Sequence, residues 1–418
     1  MRLRLGMGLG GALLALAAST CIAGIPAMAQ DGPIKLCIID DHSGDLATIV
    51  KPKTLGYRLA IEEINKAGGV LGRQLEMVFY DGQSDVRRHQ ELTQKCILDD
   101  KVDVVMAGAT SSAREAARAI AVENKVIYWH NNQGEGGIAD KYSFFTGPIP
   151  EQQILPGVEY MIKKFGPKMY ILAADYGFGQ VSAQWTRVAA GLYGGEVVGE
   201  EFIPLGNSEF ASTIANIQKA KPDFGVFYLI GDAQTAYYGQ ALAAGATIPA
   251  VSTVNIQQSY EHKRFPAPAL ANMYVPYAYL EETPTEASKA FVEAARKLEP
   301  NEPYISEMTR AAYIAVNLMA KAWTRAGTTE TDAVLTALGS GLSFDAPEGK
   351  VFLDPATHHL TMHMRIGFVN DKHEILLAED IGPVEPWWLR SLGVNLVRQN
   401  DAKQYQPADD PSFAKYLK

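Results

Sequence analysis

Apolar positions along this chain follow two alternating rhythms. Short runs that are almost continuously apolar recur at 34–39 (Ile-Lys-Leu-Cys-Ile-Ile), 75–80, 102–106 and 126–129. Runs of this kind read as strands buried on both faces of a parallel sheet. Between them the spacing turns helical. Over 53–67, Tyr57, Ala60, Ile61 and Ile64 share one face, Arg58, Glu62, Glu63 and Lys66 lie away from it, and Gly68-Gly69 supplies a stop. A helix over 86–99 is opened by Ser84 or Asp85. The next begins after Gly108, with Ser112 as its cap and Glu115 at the spacing of a capping box. Its face of Ala113, Ala116, Ala117, Ile120 and Ala121 is narrow enough to lie close on a sheet. Strand and helix in short alternation call for a parallel sheet flanked by helices.

The same grammar restarts after Pro148-Ile149-Pro150. Helices at 151–164, 180–192, 210–219 and 232–244 alternate with strands at 168–173, 196–203 and 224–229. An extended aromatic stretch follows at 273–280, then helices near 285–298, 304–326 and 330–338. Short strands come next, at 351–353, 363–369 and 374–378, and a polar tail lies beyond Trp388. The expected fold is therefore α/β: two Rossmann-like lobes, each a parallel sheet flanked by helices, joined by three hinge crossovers near 148, 276 and 345. The boundaries this implies are 30–148 plus 277–345 for lobe 1, 149–276 plus 346–390 for lobe 2, and 391–418 for a C-terminal tail.

The first residues break the pattern. Arg2 and Arg4 precede an apolar run from Leu9 to Ala23, and Ala27-Met28-Ala29 offers small residues where a signal peptidase reads. Residues 1–29 are expected to be a secretory signal peptide, which places the mature protein in the periplasm. Their removal takes away two arginines and no acid, moving the formal charge from −9 to −11. A chain this acidic is a poor partner for nucleic acid or anionic membranes. Cys37 and Cys96 remain; an oxidising compartment permits a disulfide between them, and two small core residues are the other reading. The histidines at 358, 359 and 363 match no zinc spacing and read as exposed positions on a strand. The chain after the leader lacks the His-Glu-x-x-His, Gly-x-Ser-x-Gly and phosphate-loop patterns. No enzyme, metal or cofactor is expected.

The run 60–73 (Ala-Ile-Glu-Glu-Ile-Asn-Lys-Ala-Gly-Gly-Val-Leu-Gly-Arg) resembles the signature region of type I periplasmic binding proteins, the solute receptors for branched-chain amino acids, urea and short-chain amides. Tyr80-Asp81, the turn 107–112 (Ala-Gly-Ala-Thr-Ser-Ser) and 174–179 (Ala-Asp-Tyr-Gly-Phe-Gly) follow at the family's spacing. Glu151-Gln152-Gln153 and 354–360 (Asp-Pro-Ala-Thr-His-His-Leu) are similar to the urea and amide branch. The resemblance covers about 34–390 and departs in three ligand-facing stretches: Asp40–Gly44, 128–135 and 252–258. It implies an extracytoplasmic substrate-binding component of an ABC transporter. Such a protein is a monomer that captures a small molecule in the cleft by hinge closure and delivers it to permease subunits.

Ligands of open α/β sheets sit beyond the carboxyl ends of the strands. That rule selects Ser43 after the first strand, and Thr110 and Ser111 at a helix start where free N–H groups and hydroxyls hold an oxygen. It also selects Trp129 as an apolar wall and Asn131 as an amide partner. From the second lobe it selects Asp175, Tyr176 and Asp232; the resemblance implies an aromatic cover at Tyr176 and an acid accepting N–H donors near Asp232. Apart from Arg114, already inside its helix, no arginine stands in these loops, which disfavours a dianion. Urea or a short amide, a branched-chain amino acid, and a small aromatic acid are the expected ligands, in that order. A periplasmic sensor feeding a regulator and a hydrolase on the same fold are the rival functions.

Overall fold

The structure is a computed structural model that describes residues 32–254, 256–258 and 260–417. The expected leader, 1–29, lies outside the described residues. The first sheet has five parallel strands in the spatial order Leu75–Asp81, Ile34–Asp40, Val104–Ala107, Ile127–His130 and Ser143–Phe145. Strand Ile34–Asp40 is apolar nearly throughout because both faces are covered. Ile34, Leu36 and Ile38 enter the core under helices Pro52–Lys66 and Glu307–Ala326, while Cys37 and Ile39 enter the core under Val86–Lys95 and Ser111–Glu123. The first pair of helices is in very close contact: a Cβ on Gly56 would stand 2.0 Å from the Thr309 carbonyl oxygen, so only glycine fits there.

Cys37 and Cys96 are bonded to each other, tying strand Ile34–Asp40 to the turn that follows helix Val86–Lys95. Both residues are fully buried, so they are core residues as well as a bridge.

The second sheet is mixed. Strands Glu196–Ile203, Lys168–Ala174, Phe224–Tyr228, Ala250–Val251 and Met273–Tyr277 run parallel, and Leu360–Val369 adds antiparallel to the last of these. Ile375–Val384 and the hairpin Leu342–Ala346/Gly349–Leu353 continue from Leu360–Val369. One end of that long strand packs with each lobe. Ala346, Val351, Leu353, Leu360, Met362 and Met364 belong to the first lobe's core, whereas Ile366 and Val369 belong to cores of the second. The third crossing therefore falls inside Leu360–Val369 rather than near 345, and 346–364 pack with lobe 1. Alternating apolar residues identify the strand but not which lobe covers each half.

Two further expectations are corrected here. His358 and His359 are buried, not exposed: they stack on Phe144 and Phe145 with ring centroids 4.2 and 4.5 Å apart. They precede the strand, in a turn where His358 has a φ of 60°. Burial pushes their imidazoles down to about 3 and about 4, so both are neutral near pH 7. The polar tail is also packed. Val394, Leu396 and Phe413 enter the second lobe's core, Trp388 Nε1 donates to Asp410 at 3.0 Å, and Lys403–Gln404 pairs with the short strand Ile138–Ala139. Its few apolar residues have no period to betray them.

The crossings are cross-linked. Gln152 Nε2 donates to the carbonyls of Leu360 (2.7 Å) and Val384 (3.0 Å), and Arg310 donates to the Thr146 carbonyl at 2.7 Å while pairing with Glu307 and Glu348. Beside Gln152, Glu151 is buried with no cationic partner among the described residues, and burial lifts its carboxyl to about 7.

Two predictions follow from this packing. Replacing both Cys37 and Cys96 by Ala frees a loop of 59 residues in the unfolded chain and should lower the unfolding free energy by about 4 kcal/mol in the chain-entropy account. Denaturant titration reads this, and an unchanged midpoint under oxidising conditions contradicts the bridge. For Glu151 the folded carboxyl keeps its proton to higher pH than the unfolded one. Stability is therefore lost as pH rises from about 4.5 through about 7. Glu151→Gln should exceed the wild type by about 3 kcal/mol at pH 8 and match it at pH 4; a constant offset at both pH values contradicts the assignment.

Candidate functional site

Both sheets turn the carboxyl ends of their parallel strands toward one cleft, and each strand there runs into a loop or a helix start. Gly108 makes one of these turns. Its φ is +80°, and a Cβ there would stand 2.7 Å from the Arg114 nitrogen. The turn delivers Thr110 as the cap of helix Ser111–Glu123, with its hydroxyl accepting from the Ala113 N–H at 3.2 Å. The cap is thus Thr110 and not Ser112, which is the second helical residue and exposed. The first backbone N–H groups of such a helix have no acceptor within it, and they meet a bound group with a partial positive charge.

Around this helix start the cleft holds a small cavity of about 30 Å³, partly open to solvent. Its apolar lining comes from both lobes, Leu46, Ile49 and Val50 from the first and Phe178, Ile230 and Val254 from the second. Its polar lining does too: Thr110, Ser111, Arg114, His130, Asn132 and Gln133 from the first lobe, Tyr176 and Gln258 from the second. Two of the polar groups are buried yet lack a hydrogen-bond partner among the described residues, His130 Nδ1 and Gln133 Nε2. Burial holds the His130 imidazole well below its usual range, so it is neutral near pH 7. Amide pairs join the lobes beside the cavity: Gln257 Nε2 donates to Gln133 Oε1 at 2.6 Å and Gln258 Nε2 to Asn132 Oδ1 at 3.1 Å.

The charges in the polar lining cancel. Arg114 grips Glu135 with both terminal nitrogens, at 2.8 and 3.1 Å, and its Nε donates to Glu115 at 2.9 Å. Ser111 Oγ and Gln404 Nε2 donate to the same Glu135 carboxylate at 3.0 and 3.2 Å. Burial by itself would raise the Glu135 carboxyl; the charge and hydrogen bonds of Arg114 outweigh it and hold the group at about 2. Both members of the pair are charged throughout the physiological range.

The structure distributes the expected site residues unevenly. Thr110, Ser111 and Tyr176 line the cavity. Asp232 is exposed and lines the outer part of the cleft, which it shares with Thr110, Tyr176 and Ile230. Trp129 is fully buried in the first lobe's core, stacked on Phe144 at 5.2 Å. Asn131 is fully buried and spends its amide on the Tyr57 hydroxyl (3.0 Å) and the Thr146 hydroxyl (2.9 Å). Strand side chains alternate, so selecting position 129 chose the core face, and the cavity takes His130, Asn132 and Gln133 instead. Ser43 donates to Asp81 at 2.7 Å, Asp175 accepts from Gln180 at 3.0 Å, and neither lines the cleft cavities. The buried Arg114–Glu135 pair was not anticipated. Arg114 lies one turn after Ser111 and so on the same face of its helix, which is the signal that was available.

Known proteins share this architecture. Residues 33–374 match the family described as periplasmic binding protein. A leucine-, isoleucine-, valine-, threonine- and alanine-binding protein of Pseudomonas aeruginosa is 27% identical over 352 residues, covering 81% of this chain and 91% of that protein. A leucine-specific-binding protein of Salmonella typhimurium is 27% identical over 332 residues, covering 74% and 85%. Among solved structures, a branched-chain amino acid transporter substrate-binding protein of Streptococcus pneumoniae in complex with isoleucine superposes with a TM-score of 0.74 at 23% identity, covering 84% of this chain and all of that one. A solute-binding protein of an ABC transporter from Rhodopseudomonas palustris in complex with benzoate has a TM-score of 0.74 at 21% identity, covering 84% and 97%. These relatives are binding proteins, not enzymes. On the length of the family match and the two-lobed fold, the chain belongs to the periplasmic binding protein family.

Proposed function

We propose that this chain is the extracytoplasmic solute-binding component of an ABC transporter and that its ligand is a small monocarboxylate with an apolar body. The observation that carries the ligand class is the cavity itself. It brings together a helix start, the Thr110 hydroxyl, the unpartnered Gln133 amide and six apolar side chains. A carboxylate supplies the acceptors that the helix start and the amide lack, and an apolar body packs against the apolar side chains. Urea or a short amide has no apolar body to offer them, which reverses the order expected from the sequence.

An aliphatic α-amino acid is the first candidate. Its carboxylate meets the helix start, and Asp232 stands at the outer cleft as the acid for its ammonium; relatives named for leucine, isoleucine and valine support the same class. A benzoate-like acid is the second. It is favoured by the commitment of Glu135 to Arg114, which leaves no uncommitted acid on the inner cavity wall. In either case a ligand touching both lobes adds to the amide pairs between Gln257, Gln258 and the 132–133 loop, and so favours the closed arrangement. The permease subunits then read closure from a monomeric receptor, exported by way of residues 1–29.

A thermal-shift screen of the mature protein tests this with leucine, isoleucine and valine, with benzoate and 4-hydroxybenzoate, and with urea and acetamide. A hundredfold excess over the dissociation constant stabilises by about 2.7 kcal/mol. The expected outcome is a shift with one of the two acid sets and none with urea or acetamide; a shift with the amides alone overturns the ligand class. Asp232→Ala should weaken an amino acid at least tenfold and leave a benzoate unchanged.

A further inference from the structure

We infer that Glu135 sets the charge selectivity of the cleft by withholding Arg114 from the ligand, so that the site accepts one carboxylate and rejects two. This rests on the monocarboxylate reading above and names the residue that enforces it.

An arginine on the wall of a cavity is ordinarily the group that takes a carboxylate, because its planar fork matches two oxygens at once. Here three of its five N–H donors, one on each nitrogen, are already committed to carboxylates. Both terminal nitrogens face Glu135 and Nε faces Glu115. Glu135 is equally committed. Its two oxygens accept four hydrogen bonds, two from Arg114, one from Ser111 and one from Gln404, which is all that a carboxylate takes. It therefore has nothing left for a ligand cation, and the charge of Arg114 is already offset by Glu135 and Glu115.

On the first lobe's side of the cavity the positive field not offset by a carboxylate is the start of helix Ser111–Glu123, equivalent to roughly half an elementary charge. That offsets one carboxylate in part and leaves a second one desolvated without a partner, an arrangement that buried charges do not tolerate. Gln404 makes the arrangement stiffer. It reaches Glu135 at 3.2 Å and the Gly136 carbonyl at 3.1 Å from the C-terminal strand paired with Ile138–Ala139. The tail thus holds the acid in place from a part of the chain remote in sequence.

The test compares Glu135→Gln with the wild type by calorimetry, using leucine against glutamate and benzoate against terephthalate. Glu135→Gln keeps the side-chain shape and releases the guanidinium. The ratio of monocarboxylate to dicarboxylate affinity should fall at least tenfold through a gain in dicarboxylate binding, which a merely structural role would not produce. Unchanged selectivity, or a loss of the monocarboxylate with no gain of the dicarboxylate, overturns the inference. The double variant Arg114→Gln/Glu135→Gln removes both charges together and serves if the single variant does not fold. Its ratio of monocarboxylate to dicarboxylate affinity should stay within threefold of the wild type's; a ratio that falls tenfold or more through a gain in dicarboxylate binding overturns the inference. The wild-type titrations stand apart from these outcomes. Failure of every monocarboxylate there rejects the ligand class, whereas failure in the variants rejects only the role of Glu135.

Discussion

A right-handed strand-helix-strand unit leaves the start of a helix at the carboxyl edge of its sheet, and that geometry controls everything else in this protein. Each helix start carries N–H groups that its own turns cannot satisfy. When two such sheets face each other edge to edge, those groups converge on one cleft. Gly108 and Thr110 show how local the requirement is. A left-handed turn at glycine and a capping hydroxyl suffice to aim helix Ser111–Glu123 at the space between the lobes. The rest of the first lobe holds that helix still: the small faces of Ala117 and Ala121 lie on the sheet, next to the bonded Cys37 and Cys96.

Opposing demands meet at the crossings. They must allow one lobe to move against the other, yet they run through the interior and carry buried polar groups. The structure resolves this with side chains that tie crossing to crossing rather than lobe to lobe. Gln152 links the first crossing to the strand of the third, Arg310 links the first crossing to the Glu348 turn, and His358 and His359 stack on Phe144 and Phe145. Among the contacts between the lobes are pairs of neutral amides, Gln257 with Gln133 and Gln258 with Asn132. Neutral pairs of this kind form and break without stranding a charge, which suits a cleft that opens and shuts.

Much of this was legible in the sequence, and the remainder was hidden for identifiable reasons. The strand Ile34–Asp40 and the helix Pro52–Lys66 announce themselves by period, because two-sided burial and one-sided burial leave different patterns. The start of the site helix was legible too, misplaced by two residues because Thr110, Ser111 and Ser112 all have capping chemistry. What stayed hidden depends on contacts between distant segments. The tail has no apolar rhythm, yet Trp388 and Phe413 pack around Trp185. Trp129 and His130 are neighbours in sequence but face opposite ways, so choosing the wrong one of the two turned a core residue into an expected ligand contact. Glu135 is unremarkable as a residue; its role comes from Arg114, Ser111 and Gln404 meeting it in space.

The central claim is that a carboxylate binds between the lobes at the start of helix Ser111–Glu123. A crystal structure of the mature protein with the tightest ligand from the acid sets tests it most directly. The account predicts a carboxylate oxygen about 3 Å from Thr110 Oγ1 and from the N–H groups of Ser111 or Ser112, with the apolar body against Phe178 and Ile230. A ligand bound outside the cleft, or one whose carboxylate pairs with Arg114 while Glu135 has turned away, would contradict it.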